Sequence, residues 1–442
     1  MRFKSYAAAL EWLESHVDFE RVAPNRQRVP TLQPVRDVLA QLGDPHHDYP
    51  SIHVTGTNGK GTTTTVASEL LRNTGLRVGT FTSPDLHRIN ERIALNGVPI
   101  DDEVLTGLLG RLSDVETASA TVLTRFELLT VAALLFFSDE GVDVAVVEVG
   151  MGGTWDSTNV IDSRVAVLTN VDLDHTQVLG ATVGAIARDK VGIFRADGAA
   201  VLGTTNPEVV EIAGGAAERL GCPLYRLDQE FIIEENDLAL GGRSLRLVTP
   251  FGRYDDVLVS LHGMHQGVNA STAVVAVELF LGRALGESVV SETLAHVAMP
   301  GRSEILARHP MIVVDGAHNP AGVRALVATL DGAFDVAGVR RAVVGLLSGR
   351  ELEDMVAPLV SAGFREFHCC PPNSPRAVPV EELVSVLRRL DAVAYAHPNA
   401  RSALAHAREM SSEDDLIVVT GSLYLVGEVR GLILKVENQH SP

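Results

Sequence analysis

The chain has 442 residues, 46% of them hydrophobic, and a formal net charge of −19. Such a length predicts two or three domains around sizeable cores, and such acidity excludes a general nucleic-acid binder, which needs basic surface to neutralise phosphates. Three cysteines, Cys222, Cys369 and Cys370, form neither a disulfide framework nor a zinc pattern, so free thiols in a reducing cytoplasm are expected.

Near the N-terminus, Glu11 and Glu14 interrupt the stretch that a secretory leader would need to keep apolar. The longest apolar run, Val131 to Phe137, is too short to span a bilayer, so no membrane partner is expected. The first short apolar segment, Ile52–Thr55, enters the turn Gly56-Thr57-Asn58-Gly59-Lys60-Gly61-Thr62. Glycines there let backbone N–H groups approach phosphate oxygens, and the start of the next helix adds the positive end of its dipole. Lys60 can reach terminal phosphates, and the Thr62 hydroxyl can face a magnesium ion. The loop is shorter than the common phosphate-binding motif, and Gly61 separates Lys60 from Thr62. It therefore reads as a nucleotide site of a less common type.

Further strands are predicted at Arg77–Phe81, Val144–Val149 and Val165–Thr169, with helices at Thr63–Asn73 and Phe126–Phe137 between them. Strands alternating with helices indicate a mostly parallel α/β sheet, whose ligands sit beyond the carboxyl ends of the strands. Thr55, Ser83, Glu148 and Asp172 to His175 fall at such ends. A carboxylate closing an apolar strand, as Glu148 does, is costly unless paired, and beside a phosphate loop its natural partner is magnesium. His175 is an unusual magnesium ligand, and its role stays open on the residues alone. By spacing, Lys190 reads as an ordinary helix-surface lysine.

Residues 225–260 read as a small antiparallel sheet, followed by a helix from Asn269 to Gly282. After Pro300-Gly301-Arg302 the alternating pattern restarts, with strands at Ile312–Asp315, Ala342–Leu347, Glu366–Cys370 and Leu416–Thr420. A boundary near residue 300 divides the chain into 1–299 and 300–442.

Taken in order, these motifs resemble the Mur ligase superfamily, and within it the folylpolyglutamate synthase/dihydrofolate synthase branch. The resemblance is carried by Thr55–Thr62, Thr82-Ser83-Pro84, Glu91-Arg92-Ile93, Phe126-Glu127, Glu148–Asn159 and Asp174-His175-Thr176. It continues through Lys190–Phe194, Pro300-Gly301-Arg302, Asp315–Pro320 and Thr420–Gly427. It implies an N-terminal P-loop ATPase domain, a C-terminal Rossmann-like glutamate ligase domain, and ATP-driven joining of L-glutamate to dihydropteroate or to folate glutamyl tails through an acyl phosphate.

The resemblance further implies two magnesium sites, one on Ser83 and Glu148 and one on Glu148 and His175. Lys190 resembles the family lysine carbamylated by carbon dioxide, which turns a repelling ammonium into an anionic ligand. Thr57 to Thr62 would cradle the phosphates, while Asn269, Arg302 and Asp315 match positions that contact ATP. His318 would orient glutamate or phosphate. Phe126, Glu127, Trp155 and Asp156 would face the pterin. The implied molecule is a monomer whose partners are small substrates.

Three departures stand in the substrate region, the first at Gln33-Pro34-Val35, where the family starts an early helix with an arginine. Asp85 follows Ser83-Pro84 where the family has histidine, and Thr154-Trp155 replaces an arginine-containing pair. A Mur-type ligase acting on a muramyl peptide precursor is the alternative acceptor reading. A nucleotide-binding regulator without ligase activity has no use for Lys60, Glu148, His175 and Lys190 together.

Overall fold

The computed structural model describes residues 3–20 and 31–437. They form two compact units: Met1–Asn236 with Ser244–Val259 and Gln266–Val297, and Asp237–Arg243 with Ser260–His265 and Ala298–Pro442.

The first unit is built on an eight-stranded sheet. In spatial order its strands are Val98–Pro99, Ile93–Leu95, Val78–Phe81, Val144–Glu148, Ser51–Thr55, Val165–Leu168, Ala199–Leu202 and Leu224–Arg226. The six strands from Val78–Phe81 onward pair in parallel, and the two at the other edge are antiparallel. Ser51–Thr55 and Val144–Glu148 are buried along their whole length, as their unbroken apolar sequences require in a sheet covered on both faces. In register, Val54 lies opposite both Glu148 and Val167, so three strand ends open on one edge.

The helix after the first strand runs Lys60–Asn73, three residues earlier than the apolar pattern indicates, because Gly59 rather than a polar cap starts it. The helix Arg125–Asp139 is apolar on nearly every side and buries eleven of its residues. It supplies the centre of the core, with Leu128, Leu129, Val131 and Phe137 packed among Val35, Leu39, Phe81 and Ile93. Ile232–Ala239, Gly242–Val248 and Arg253–Val259 form the expected antiparallel sheet. The next helix spans Met264–Leu281.

The second unit carries a six-stranded sheet in the order Glu304–Arg308, Met311–Val314, Leu416–Thr420, Arg340–Val344, Glu366–Cys369 and Val393–Ala396. Only its first pair is antiparallel. Its core joins Val313, Val344, Phe367 and Val418 to helix residues such as Leu326, Leu359 and Leu387. Among the described residues no helix is long and apolar enough to cross a membrane.

Candidate active site

The phosphate loop leaves the sheet at Thr55 and ends at Gly59, whose φ of 84° is a left-handed conformation that other residues adopt only with strain. No side chain caps the helix that begins at Lys60, so its first-turn N–H groups suit an anion. The loop is braced by the segment after Val165–Leu168. Thr57 N donates to Asn170 O at 2.9 Å, Asn58 N to Asn170 Oδ1 at 3.0 Å, and Asp172 N to Thr57 Oγ1 at 3.0 Å. Thr169 Oγ1 donates to Asn58 O at 2.7 Å. Asn269 packs against the same loop, since a Cβ at Gly59 would lie 2.3 Å from its Oδ1. Lys60 Nζ lies 3.4 Å from Thr57 O, and Thr62 is buried.

Glu148 closes its strand in a buried position, with Oε2 accepting from Ser83 N at 3.1 Å. A Cβ at Gly61 would meet its two carboxylate oxygens at 3.6 and 3.8 Å, so the carboxylate faces the start of the phosphate-loop helix. This donor set fits a divalent cation: a buried carboxylate with Ser83 beside it, next to an anion cradle, is compensated when a hard cation joins it. His175 is exposed, in a left-handed conformation at φ 49°, with its Nε2 4.0 Å from Asp174 Oδ1. Asp174 is itself buried and accepts from His175 N at 2.8 Å.

Lys190 is not on a helix surface. It ends the helix Val183–Lys190, is 3% exposed, and donates from Nζ to Gly56 O at 2.7 Å. The reason is long-range: Gly152 and Gly153 fold over that helix end, and Thr154 N and Oγ1 donate to Asp189 O at 3.0 and 2.9 Å. Burial, reinforced by the Lys60 ammonium, pushes the Lys190 amine down to about 7, against the opposing pull of Asp189, Asp174 and Asp156. A substantial neutral fraction at physiological pH makes this amine a nucleophile.

The four residues expected around a pterin differ in character. Phe126 is half-buried, 5.9 Å from the Phe81 ring, and lies so close to Gly150 that a Cβ there would sit 2.4 Å from its Cζ. Glu127 completes a capping box: its Oε2 accepts from Thr124 N at 2.6 Å, and Thr124 Oγ1 accepts from Glu127 N at 3.3 Å. The T-x-x-E signature of that box stands in the sequence at Thr124 to Glu127. Trp155 is 55% exposed. Asp156 is buried and accepts from Met151 N, Thr158 N and Thr158 Oγ1 at 2.9, 3.0 and 2.5 Å, which shapes its own loop. Because Thr158 gives its hydroxyl proton to Asp156, its oxygen accepts from His53 Nε2 at 2.8 Å.

Asp85 binds Arg92 Nε at 2.6 Å, and Glu20 takes the other guanidinium nitrogens at 2.7 and 2.8 Å. Burial alone would raise the Asp85 carboxyl, but the Arg92 guanidinium holds it below its usual value. The histidine-to-aspartate departure thus supplies a counter-charge for a buried arginine.

In the second unit, Asp315 is buried and accepts from Ser303 N, Ser303 Oγ and Ala317 N at 2.8, 3.0 and 2.8 Å. Arg302 lies alongside, with Nη1 2.9 Å from where a Gly316 Cβ would stand. His318 Nδ1 lies 2.9 Å from Gly316 O. The structure therefore groups Thr57 to Thr62, Ser83, Glu148, Lys190 and Asn269 within the first unit, and Arg302, Asp315 and His318 within the second. Sequence reasoning passed over Thr169 and Asn170, and took Asp172 and Asp174 only as part of a strand-end run. Their signal was the polar run that directly follows the apolar strand.

Residues 54–277 match the Mur ligase middle domain, and residues 301–423 match the Mur ligase glutamate ligase domain. The chain is 35% identical to the dihydrofolate synthase/folylpolyglutamate synthase of Mycobacterium tuberculosis, over 95% of this chain and 91% of that protein. Its fold is similar to that of E. coli FolC in complex with DHPP and ADP, with a TM-score of 0.88, 28% identity and full coverage of both chains. It is also similar to the bifunctional folylpolyglutamate synthase/dihydrofolate synthase of Yersinia pestis complexed with AMPPNP and a Mn ion. There the TM-score is 0.86 and the identity 29%, over 98% of this chain and 99% of that one.

Proposed function

This chain belongs to the folylpolyglutamate synthase/dihydrofolate synthase family of Mur ligases, and from that premise we propose how its own residues carry out ATP-dependent glutamate ligation. The acceptor is the carboxylate of dihydropteroate or of a folate glutamyl tail. Its oxygen takes the γ-phosphoryl group of ATP, ADP departs, and an acyl phosphate forms. The amine of L-glutamate then attacks the acyl carbon, releasing phosphate and a proton.

Bringing a carboxylate to a triphosphate concentrates negative charge, and this chain answers with fixed positive groups. First-turn N–H groups of the helix at Lys60 bind the phosphates, and Lys60 reaches the terminal ones. Ser83 and Glu148 would hold one divalent cation, and Glu148 and His175 a second. When bound, such cations neutralise phosphate charge and fix its orientation.

The observation that carries this reading is Lys190, a buried amine 2.7 Å from the phosphate loop's Gly56 O, depressed by its burial and further by its neighbour Lys60. Left as an ammonium it would repel both Lys60 and a cation. Its neutral form instead attacks carbon dioxide and loses a proton, becoming a carbamate whose oxygen suits a metal. Asp174 and Thr154 position it: Asp174 through charge, Thr154 by anchoring the backbone at Asp189.

Phe126 and Trp155 present ring faces for a pterin, with Asp156 and Glu127 as acceptors whose loop and capping bonds keep them in place. Asn269 would contact the nucleotide beside Gly59. Arg302 and Asp315 would contact it from the second unit, and His318 would orient glutamate or phosphate. We further infer a monomer, placed in the cytoplasm, in keeping with three free thiols.

The test is the purified protein with Mg-ATP, L-glutamate and either dihydropteroate or tetrahydrofolate. ADP and phosphate release should require both glutamate and the pterin. Turnover with a muramyl peptide precursor and with neither pterin would move the acceptor assignment to the other branch.

A further inference from the structure

The second unit carries three histidines that the ligation chemistry does not use. His368 stands in the strand Glu366–Cys369, His397 directly follows the adjacent strand Val393–Ala396, and His406 lies in the helix Ala400–Glu409. Parallel pairing sets His368 opposite Tyr395, two residues before His397. The His406 ring meets His368 edge-on at 4.9 Å and His397 at 5.2 Å. One ring nitrogen of each histidine lies within 4.8 Å of the others.

His368 Nδ1 and His397 Nε2 are 3.3 Å apart. Two nitrogens bound tetrahedrally to one ion at about 2.05 Å would be roughly 3.3 Å apart. A simple hydrogen bond between these rings accounts for one nitrogen of each and leaves His406 without a reason. The buried Nδ1 of His406 has no hydrogen-bond partner. Buried polar atoms are ordinarily paired, so this orphan, beside two facing imidazole nitrogens, calls for a missing partner.

We propose that His368, His397 and His406 form a binding site for a divalent transition metal, Zn²⁺ by preference, separate from the cations of the nucleotide site. Three imidazoles select Zn²⁺, Co²⁺, Ni²⁺ or Cu²⁺, whereas Mg²⁺ prefers hard oxygen donors such as those of Ser83 and Glu148. Three protein ligands leave a fourth position open to water or an added ligand. A bound ion would pin the last two strands of this sheet to the helix above them.

The test uses the full chain after dialysis against a chelator. Zn²⁺ is titrated in competition with a chromophoric chelator, and Co²⁺ is added separately to read its visible spectrum. Wild type should bind one tight equivalent, show the intense bands of tetrahedral Co²⁺, and melt at a higher temperature with Zn²⁺. His397→Gln and His406→Gln avoid the fully buried His368, and their melting curves without metal establish that they fold. Each should lose more than about 100-fold in affinity, beyond what removing a mere supporting group costs. Glu148→Gln and His175→Gln should keep the tight equivalent. No tight equivalent in wild type, undiminished binding by both histidine variants, or loss confined to the Glu148 and His175 variants would overturn the proposal.

Discussion

Gly153→Ala perturbs the candidate site without touching a reacting group. A methyl group built there meets Asp189 O and Lys190 O at 2.7 Å and Lys190 Cα at 2.8 Å, where ordinary contact begins at 3.4 Å. All three are backbone atoms, so no side chain can swing away, and the helix end must yield by some 0.7 Å. Overpacking of this kind costs about 1–3 kcal/mol of stability. Its functional cost is larger, because a displacement approaching 1 Å at a positioned group costs on the order of 100-fold in rate. The Lys190 Nζ contact to Gly56 O and the Thr154 anchor on Asp189 O would both be disturbed. The expected result is a kcat for glutamate-dependent ADP release lowered by about 10- to 100-fold in a protein that still unfolds cooperatively. Gly214→Ala is the control. It lies within the helix Pro207–Leu220 with nothing within 4 Å of the added methyl, and should gain about 0.5–1 kcal/mol at unchanged kcat. Wild-type kcat and melting temperature in Gly153→Ala would refute the claim that this loop sets the position of Lys190.

Two further outcomes follow from the same geometry. Burial, with a smaller contribution from Arg195, holds the His53 imidazole down to about 3 from an ordinary 6.5, so the unfolded chain binds the extra proton between these values. Stability is therefore lost as pH falls through that window, by roughly 3 kcal/mol between pH 6.5 and 4, and levels off below the folded value. Denaturant unfolding at several pH values should show this slope in wild type and a shallower one in His53→Gln; equal slopes would contradict it. Trp155→Ala removes an exposed side chain, so stability should change by less than about 0.5 kcal/mol while KM for the pterin substrate rises. An unchanged KM would remove Trp155 from the substrate surface.

What was legible in the sequence is what local chemistry dictates. Apolar runs at Ile52–Thr55, Val144–Val149 and Leu416–Thr420 became buried strands within a residue or so, because nothing but a covered parallel sheet accommodates them. The glycines, lysine and hydroxyls of Thr57–Thr62 marked the loop itself, though not its bracing by Thr169, Asn170 and Asp172. Burial of Lys190 was not legible, since it depends on a glycine pair nearly forty residues earlier folding over the helix end. Asp156 reads as a free acceptor in sequence, yet it is tied to Met151 and Thr158 by a turn that composition does not announce. The three histidines share no motif spacing, because one stands in a strand, one follows a strand and one lies in a helix.

The ligation chemistry converges on the Lys190 amine, and replacing that residue by alanine tests it most directly. Lys190→Ala, assayed with Mg-ATP, L-glutamate and dihydropteroate or tetrahydrofolate, should fall to background, and a short carboxylate added to solution should restore part of the turnover by supplying the missing anionic oxygen. Full turnover by the unrescued variant would contradict a carbamylated lysine at the centre of the site.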